Sequence, residues 1–283
     1  MHSVAVVTDS VADIPPQLAE ELGITIVPLI LRFGVDVYRD SLDISPDEYY
    51  RKLTTVKTLP KTSAPPLAFS EVFDRLAEKT DSILYIGLSS KLSGTFQIAV
   101  QSVGLMKKKC RIELLDSQWA AMAQGFISIS AAKAAIDGAG LDEALSIARR
   151  TIPRVGLCAA FDTLEYLERG GRIGKAQALL GSLFKINPII GIKDGEVIPL
   201  SKQFSRAKAI DYLYNFAAGH PDIEALAVEY ASDRGEADKL VKRLKTKFPH
   251  APVYLSRATP VMGTHTGPGL IVVSIMTISN IRL

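Results

Sequence analysis

The sequence is poor in the residues that cross-link a protein or bind metals. Its two cysteines, Cys110 and Cys158, form no CxxC pair. Two cysteines are also too few to form a disulfide framework for a chain of 283 residues. The four histidines stand in segments that give no matching ligand pattern, so no zinc site is expected. We therefore expect a reduced, cytoplasmic setting and no metal or other cofactor.

Long apolar runs and a strong charge of either sign are also absent. No stretch reaches the ~20 apolar residues that a transmembrane helix needs, and the N-terminus lacks the pattern of a signal peptide. The 33 basic and 30 acidic residues give a net charge of +3. This balance favours neither nucleic acid nor stable membrane insertion. If the protein handles lipid, it must enclose it.

Two common enzyme signatures are missing. No serine stands in a GxSxG elbow, because the segment at 87–91 has no closing glycine. The glycine-rich segment at 167–175 places only three residues between Gly170 and Gly174, and Ala176 follows its lysine where a P-loop has Ser or Thr. A nucleotide-binding or kinase subunit is therefore disfavoured.

One enzymatic alternative stays open at this point. An acyl-transfer or hydrolytic enzyme would use Ser93 as nucleophile, His265 as base and an aspartate such as Asp116 to orient the base. These residue types are common in a chain of this length, so their presence alone is weak support.

The first half of the chain alternates apolar strands with capped helices. Ile24 to Leu31 is predicted as one continuous strand, and Ser45, Pro46 and Glu48 form a capping box at a helix start. Apolar strands that alternate with helices indicate a parallel sheet covered on both faces. The predicted fold class is therefore α/β, with a parallel-sheet α/β domain at 1–153.

The second half has a different pattern. A hairpin is predicted at 189–200, with Asp194-Gly195 at its turn, and helices at 205–218 and 234–248 alternate with further strands. This is typical of an α+β domain with a hairpin-containing sheet, which we place at 154–283.

Two polar segments in the first half suit an anionic ligand. Thr62 and Ser63 stand in a loop stiffened by three prolines, so they lose little freedom on binding. Ser93, Gly94 and Thr95 stand between a strand and a helix, at the sheet edge where ligands bind. Ordinary turn and capping roles for these hydroxyls are the alternative.

Two more polar segments stand in the second half. Arg169 and Arg172 flank a glycine pair, and a planar guanidinium suits an anionic ligand or partner. Thr264 and His265 are predicted in a glycine-rich loop beside an apolar strand. A solvated turn is the alternative for one of the two arginines.

Together these segments resemble the DegV family of bacterial fatty-acid-binding proteins. The matching pieces follow in family order over nearly the whole length: Thr8-Asp9-Ser10 with Ala12-Asp13, Lys61-Thr62-Ser63, Leu92-Ser93-Gly94-Thr95-Phe96-Gln97, the segment at 167–173, and Gly263-Thr264-His265-Thr266-Gly267-Pro268-Gly269. The resemblance implies one long-chain fatty acid held between the two domains. It also implies a carrier rather than an enzyme, which in some relatives presents the acid to a separate ATP-dependent kinase.

The resemblance also assigns the site. The carboxylate is expected to meet Thr62 and Ser93, with histidine and arginine nearby, and no catalytic residue is expected. The predicted fatty-acid-binding residues are Thr62, Ser93, Gly94, Thr95, Thr264, His265, Arg169 and Arg172. The predicted apolar wall consists of Leu29, Ile30, Leu31, Phe96, Phe126, Ile127, Phe161, Leu164 and Ile189. One departure concerns a basic run of the family, of which only Arg206 remains, while Phe204 replaces a basic residue.

Overall fold

The computed structural model describes residues 4–56, 58–180 and 186–281. The strands, in chain order, are β1 (Ala5–Asp9), β2 (Thr25–Val27), β3 (Ile30–Phe33), β4 (Asp36–Arg39), β5 (Lys61–Ser63), β6 (Ser82–Gly87), β7 (Arg111–Asp116), β8 (Val155–Ala160), β9 (Asn187–Lys193), β10 (Glu196–Gln203), β11 (Ile223–Tyr230), β12 (Val253–Arg257) and β13 (Ile271–Thr277). The α-helices are α1 (Pro16–Glu21), α2 (Pro46–Leu53), α3 (Pro66–Ala77), α4 (Thr95–Val103), α5 (Ala121–Ile136), α6 (Leu141–Thr151), α7 (Glu165–Arg169), α8 (Arg206–Ala218), α9 (Arg234–Lys247) and α10 (Pro260–Thr266). We call residues up to 153 the N-terminal part and residues from 154 the C-terminal part.

A four-stranded parallel sheet forms the centre of the N-terminal part, in the order β2-β1-β6-β7. Strands β1 and β6 are buried almost throughout, because helices cover both faces. At the end of β1 the Asp9 carboxylate accepts a hydrogen bond from the backbone N–H of Leu88 at 2.9 Å. This bond fixes the loop after β6, at the carboxyl edge where open α/β sheets bind ligands.

A six-stranded mixed sheet forms the C-terminal part, in the order β10-β9-β8-β13-β11-β12. The predicted hairpin is confirmed as β9 and β10, and Asp194 and Gly195 at its turn both have positive φ, at 52° and 81°. Two left-handed residues give the turn the twist that a two-residue hairpin needs. The parallel-sheet α/β part followed by an α+β part confirms the predicted fold class, whereas the domain boundary near residue 153 stays a prediction.

A small antiparallel sheet, in the order β4-β3-β5, was not predicted. The expected single strand at 24–31 is wrong, because Pro28 and Leu29 separate β2 in the parallel sheet from β3 in the small one. The proline-rich segment around Thr62 is not a loop throughout. Its residues Lys61–Ser63 form β5, which pairs with β3.

Helices α5 and α6 and strand β8 also escaped prediction. Helix α5 is buried nearly all round, so it lacks the one-sided apolar stripe that marks a surface helix. Its N-cap residue, Ala120, makes no side-chain cap bond. The acceptor for its first turn is instead Glu229, whose carboxylate lies 2.9 Å from the backbone nitrogen of Met122.

The six-stranded sheet has an apolar core on each face. Cys158, Ile189 and Val273 lie on the face that packs under α8 and α9. Ala159 and Val272 lie on the opposite face and belong to a larger core shared with the N-terminal part. The two parts therefore meet across one face of this sheet. None of the described helices has both the length and the apolar character that crossing a bilayer requires.

Candidate functional site

A cavity of about 370 Å³ lies between the two parts. Its floor is the face of the six-stranded sheet that looks toward the N-terminal part, and alternate residues along three strands supply it. These residues are Leu157 and Ala159 of β8, Ile190 and Ile192 of β9, and Val272 of β13. The strand register places Ala159 opposite both Ile190 and Val272, which makes the floor continuous.

The N-terminal part closes the cavity from the other side. Leu29 lies between β2 and β3, Ile98 lies on α4, and Ala120 and Ala121 lie at the start of α5; all four line the space. Because these side chains are apolar, most of the cavity offers a ligand no hydrogen bond. Such a surface suits an alkyl chain.

Thr62 and His265 begin the polar end of the cavity. Oγ1 of Thr62 lies 2.9 Å from Nε2 of His265, so the bond joins β5 of the N-terminal part to α10 of the C-terminal part. Thr62 is paired with the buried Leu31 across the β3–β5 ladder, which explains why its side chain faces inward. Both predicted residues therefore line one cavity and touch each other.

The imidazole of His265 is held neutral. Burial, and then the nearby positive charge of Arg172, lower its pKa to about 4. Nδ1 is buried and has no hydrogen-bond partner among the described residues. A Cβ on Gly170 would lie 2.5 Å from this atom, so only glycine leaves room for the ring. In a neutral imidazole one nitrogen donates and the other accepts, so the tautomer decides whether Nε2 donates to Thr62 or accepts from it.

Ser93, Gly94 and Thr95 also line the polar end. Oγ of Ser93 accepts a hydrogen bond from the backbone nitrogen of Thr95 at 3.2 Å and lies 2.9 Å from Thr95 Oγ1. The N-cap of α4 is Gly94, so Ser93 stands one residue before the cap. Its hydroxyl is shared with Thr95 but still borders the cavity.

The two arginines of the glycine-rich turn have different positions. Arg172 lines the cavity, and its guanidinium donates to the carbonyl oxygens of Leu92, at 3.2 Å from Nε, and of Gly170. Arg169 does not line the cavity. Its side chain is 56% exposed and pairs with Glu165 one helical turn earlier.

The expected loop around His265 is wrong, because residues Pro260–Thr266 form helix α10. Helical spacing turns His265 and Thr266 toward the cavity and Thr264 away from it. Thr264 instead donates to the carbonyl of Pro260 and bonds the hydroxyl of Tyr49, both at 3.0 Å. Thr264 is therefore not part of the cavity lining.

Of the nine predicted wall residues, Leu29 and Phe161 line the cavity. Phe126 and Ile127 are fully buried within the core, and Ile189 faces the opposite side of its strand from Ile190. Phe96 stacks on Tyr85. The remaining residues outside the cavity lining are Ile30, Leu31 and Leu164. Sequence reasoning missed Leu157, Ile190, Ile192 and Val272, because both faces of these strands are equally apolar and give no alternation to follow.

The arrangement required of an acyl-transfer triad is not formed. Nε2 of His265 bonds Thr62 rather than Ser93. The carboxylate of Asp116 accepts hydrogen bonds from Ser90 and from the backbone of Gln118, and neither ring nitrogen of His265 bonds it. Within the same residues, no group of three or more His, Cys, Asp or Glu side chains is placed to hold a metal ion.

The chain matches a known protein family over nearly its whole length. The family model described as "Uncharacterised protein, DegV family" matches residues 3–278. A DegV domain-containing protein of Caldanaerobacter subterraneus is 34% identical over 273 residues, which are 95% of this chain and 96% of that protein.

Solved structures give the same result. The crystal structure of DegV, a fatty acid binding protein from Bacillus subtilis, has a TM-score of 0.88 and 30% identity, over 98% of this chain and 100% of that one. A stearic acid-binding protein from Eubacterium ventriosum has a TM-score of 0.89 and 26% identity, over 98% of each chain.

Proposed function

The chain belongs to the DegV family, and from that premise we propose that it binds one long-chain fatty acid in the cavity between its two parts. The carboxylate lies at the end lined by Thr62, Ser93 and His265, and the alkyl chain lies over the apolar floor. The observation that carries this proposal is the combination of one polar end with an otherwise apolar lining.

The polar end matches the needs of a carboxylate. A carboxylate removed from water is costly unless its oxygens accept hydrogen bonds. The hydroxyls of Thr62 and Ser93 are donors, and the guanidinium of Arg172 supplies a positive charge beside them. His265 supports this arrangement in the tautomer that carries its proton on Nε2, because Nε2 then donates to Thr62 and leaves the threonine hydroxyl free to donate to the carboxylate.

The apolar lining supplies the affinity. Each buried methylene contributes about 0.8 kcal/mol, so roughly fifteen of them contribute on the order of 12 kcal/mol before the costs of association. This is enough for tight binding without any covalent chemistry. We therefore propose a carrier with no catalytic residue of its own.

The carrier presents its bound acid to a separate kinase in this proposal. Arg172 borders the head-group end, while the exposed Arg169 lies three residues away on the outer side of the same turn. Arginine suits this place because its planar fork grips phosphate oxygens in two places. Arg206, at the position where the basic run is reduced, is already engaged, since it bonds Glu236 at 2.7 Å and the carbonyl of Gly269 at 2.8 Å.

The binding proposal is tested by extracting lipid from protein purified without denaturation. We expect mass spectrometry to find about one fatty acid per chain, because a ligand enclosed by both parts exchanges slowly. Protein that yields no fatty acid and also takes up no labelled palmitate would rule the proposal out.

The carrier proposal is tested by ATP turnover with a candidate kinase, this chain and a fatty acid, each omitted in turn. Arg172→Glu should abolish acyl phosphate formation while the variant stays folded, because a negative charge repels both carboxylate and phosphate. Lys109→Glu is the matched control, since Lys109 is exposed before β7, at the opposite edge of the parallel sheet. Acyl phosphate formed by this chain and ATP alone would refute the carrier.

Arg169→Glu tests whether the outer side of this turn contacts the kinase, independently of the head-group site. Arg169 does not line the cavity, so its variant should bind palmitate as the parent does. If product formation falls nonetheless, the outer side of the turn contacts the kinase. Unchanged product formation would confine the role of this turn to Arg172.

A further inference from the structure

Helix α10 carries His265, and its first turn is capped by a residue from the other part of the molecule. First-turn N–H groups of a helix need acceptors, which the N-cap side chain usually provides. Here the N-cap residue, Thr259, makes no side-chain cap bond, and Pro260 has no N–H to satisfy. The backbone nitrogen of Val261 instead donates to Oδ1 of Asp40 at 3.1 Å, across 221 residues of sequence.

The Asp40 carboxylate is itself held in one position. It is 2% exposed, and its Oδ2 accepts a hydrogen bond of 2.6 Å from the hydroxyl of Ser10. That hydroxyl in turn accepts from the backbone nitrogen of Leu29 at 3.2 Å, and the Leu29 carbonyl accepts from the nitrogen of Asp40 at 2.8 Å. Since Leu29 lines the cavity, this closed ring connects the cap to the cavity wall.

A second aspartate of the N-terminal part fixes the residue before the helix. Oδ1 of Asp13 accepts from the backbone nitrogen of Thr259 at 3.0 Å, and its carbonyl oxygen accepts from the hydroxyl of Ser256. The start of α10 is thus attached to the N-terminal part at two adjacent points.

The far end of α10 has little tolerance for movement. The His265 ring must meet Thr62 at 2.9 Å on one side, while Gly170 lies against Nδ1 on the other. A shift of the helix by more than about half an ångström would stretch this bond beyond ordinary hydrogen-bond length or press the ring toward the backbone of Gly170. The position of the imidazole therefore depends on what holds the start of the helix.

We propose that Asp40 is a positioning residue for His265: by capping α10 from the N-terminal part, it keeps the imidazole in place beside Thr62 and so sets the preference of the cavity for a carboxylate. This inference rests on the proposed fatty acid binding. Asp40 touches neither the ligand space nor the imidazole, and it acts through the helix alone.

The test compares two ligands with the same tail, palmitate and hexadecanol. Asp40→Ala removes the acceptor for Val261 and should weaken palmitate binding by about tenfold, the usual size of a lost cap, with hexadecanol changed less than about twofold. Asp40→Asn keeps an oxygen for Val261 and should restore most of the palmitate affinity. Asp233→Ala removes an aspartate cap from α9, where Asp233 accepts from Glu236 at 2.9 Å, and should change neither affinity.

A spectroscopic measurement separates positioning from general support of the fold. The chain has four histidines, so the ¹⁵N signals of His265 are identified by their loss in His265→Gln. Asp40→Ala should shift or broaden these signals, and Asp40→Asn should return them. Equal loss of both ligands with unchanged His265 signals would overturn the inference.

Two outcomes distinguish this inference from the function on which it rests. If the parent binds neither ligand, the proposed function fails. If the parent prefers palmitate and Asp40→Ala keeps that preference, only the positioning role fails. Should Asp40→Ala not fold, Ser10→Ala frees the orientation of the carboxylate without removing it, and an unchanged palmitate preference in that variant would count against the inference.

Discussion

The floor of the cavity and its polar end are built in different ways. Floor residues such as Ala159, Ile190 and Val272 sit on neighbouring strands of one sheet, and the backbone ladder holds them whatever their side chains are. The polar end is assembled from β5, the turn before α4, the turn after α7 and α10, which come from both parts. A substitution that enlarges a side chain should therefore reduce ligand affinity most at the floor. A substitution that removes one polar atom should reduce it most at the polar end.

Filling the floor should give the largest effect. Ala159→Phe places a ring between Ile190 and Val272 in a cavity of about 370 Å³. We expect palmitate affinity to fall by at least about 100-fold, or roughly 3 kcal/mol, because the ring occupies space the alkyl chain needs. Ala159→Val is the graded control and should lose less. Both affinities are measured by displacement of a fluorescent fatty acid. If Ala159→Phe binds palmitate as tightly as the parent, the ligand lies elsewhere.

Removing one donor at the polar end should give a smaller and more selective effect. Thr62→Ala or Ser93→Ala should each weaken palmitate binding by about 1–3 kcal/mol, the usual cost of leaving a buried polar partner unpaired, and leave hexadecanol nearly unchanged. Thr151→Ala is the matched control, because this buried threonine donates to the Ile147 carbonyl at the end of α6 and does not line the cavity. Calorimetric titration gives all the values. If Thr62→Ala and Ser93→Ala both match the parent, the carboxylate lies at another place.

The sequence predicts elements whose start is fixed by neighbouring residues, and it misses helices whose first turn is capped from a distant part of the chain. The helix start at Ser45 and the turn at Asp194-Gly195 were predicted because each signal is local: Ser45 accepts from the nitrogen of Glu48 at 3.2 Å. Helix α5 lacks such a signal, and Thr259 at the start of α10 makes no side-chain cap bond. Their first turns are capped by Glu229 and Asp40, which lie 107 and 221 residues away in the chain.

The candidate site was predicted unevenly for a related reason. Thr62, Ser93 and His265 stand in polar segments that are unusual in the sequence, and the cavity brings them together. Predicting the wall failed at most positions. Phe126 and Ile127 lie on a helix that is buried nearly all round, and Ile189 lies on a strand with an apolar core on each face, so the sequence does not show which side faces the cavity. Only the register of β8, β9 and β13 decides which face is the cavity floor.

Two buried ionisable groups respond to pH in opposite directions: Glu229 on β11 of the six-stranded sheet and His265 at the polar end of the cavity. Burial raises the pKa of Glu229 to about 7, although Ser274 and the backbone of Met122 donate hydrogen bonds to it. At the polar end, burial and the charge of Arg172 lower the pKa of His265 to about 4. The folded chain thus holds a proton at Glu229 and excludes one at His265 over much of the same pH range.

The smallest predicted effect follows from Glu229. Between about pH 4.5 and pH 7 the folded chain keeps the Glu229 proton that the unfolded chain has lost, so this contribution to the free energy of unfolding falls as the pH rises. The contribution of His265 has the opposite sign: it is fully present above pH 6.5 and is lost as the pH falls toward 4. Glu229→Gln has no proton to lose, so we expect it to lose about 1–2 kcal/mol less stability than the parent between pH 6 and pH 8, part of the roughly 3 kcal/mol that the full shift represents. Urea midpoints at unit pH intervals measure this difference, with Glu20→Gln, at an exposed position of α1, as the control that should follow the parent. Parallel profiles for the parent and Glu229→Gln would mean that Glu229 is already ionised in the folded chain, and that its negative charge is stabilised by the first turn of α5.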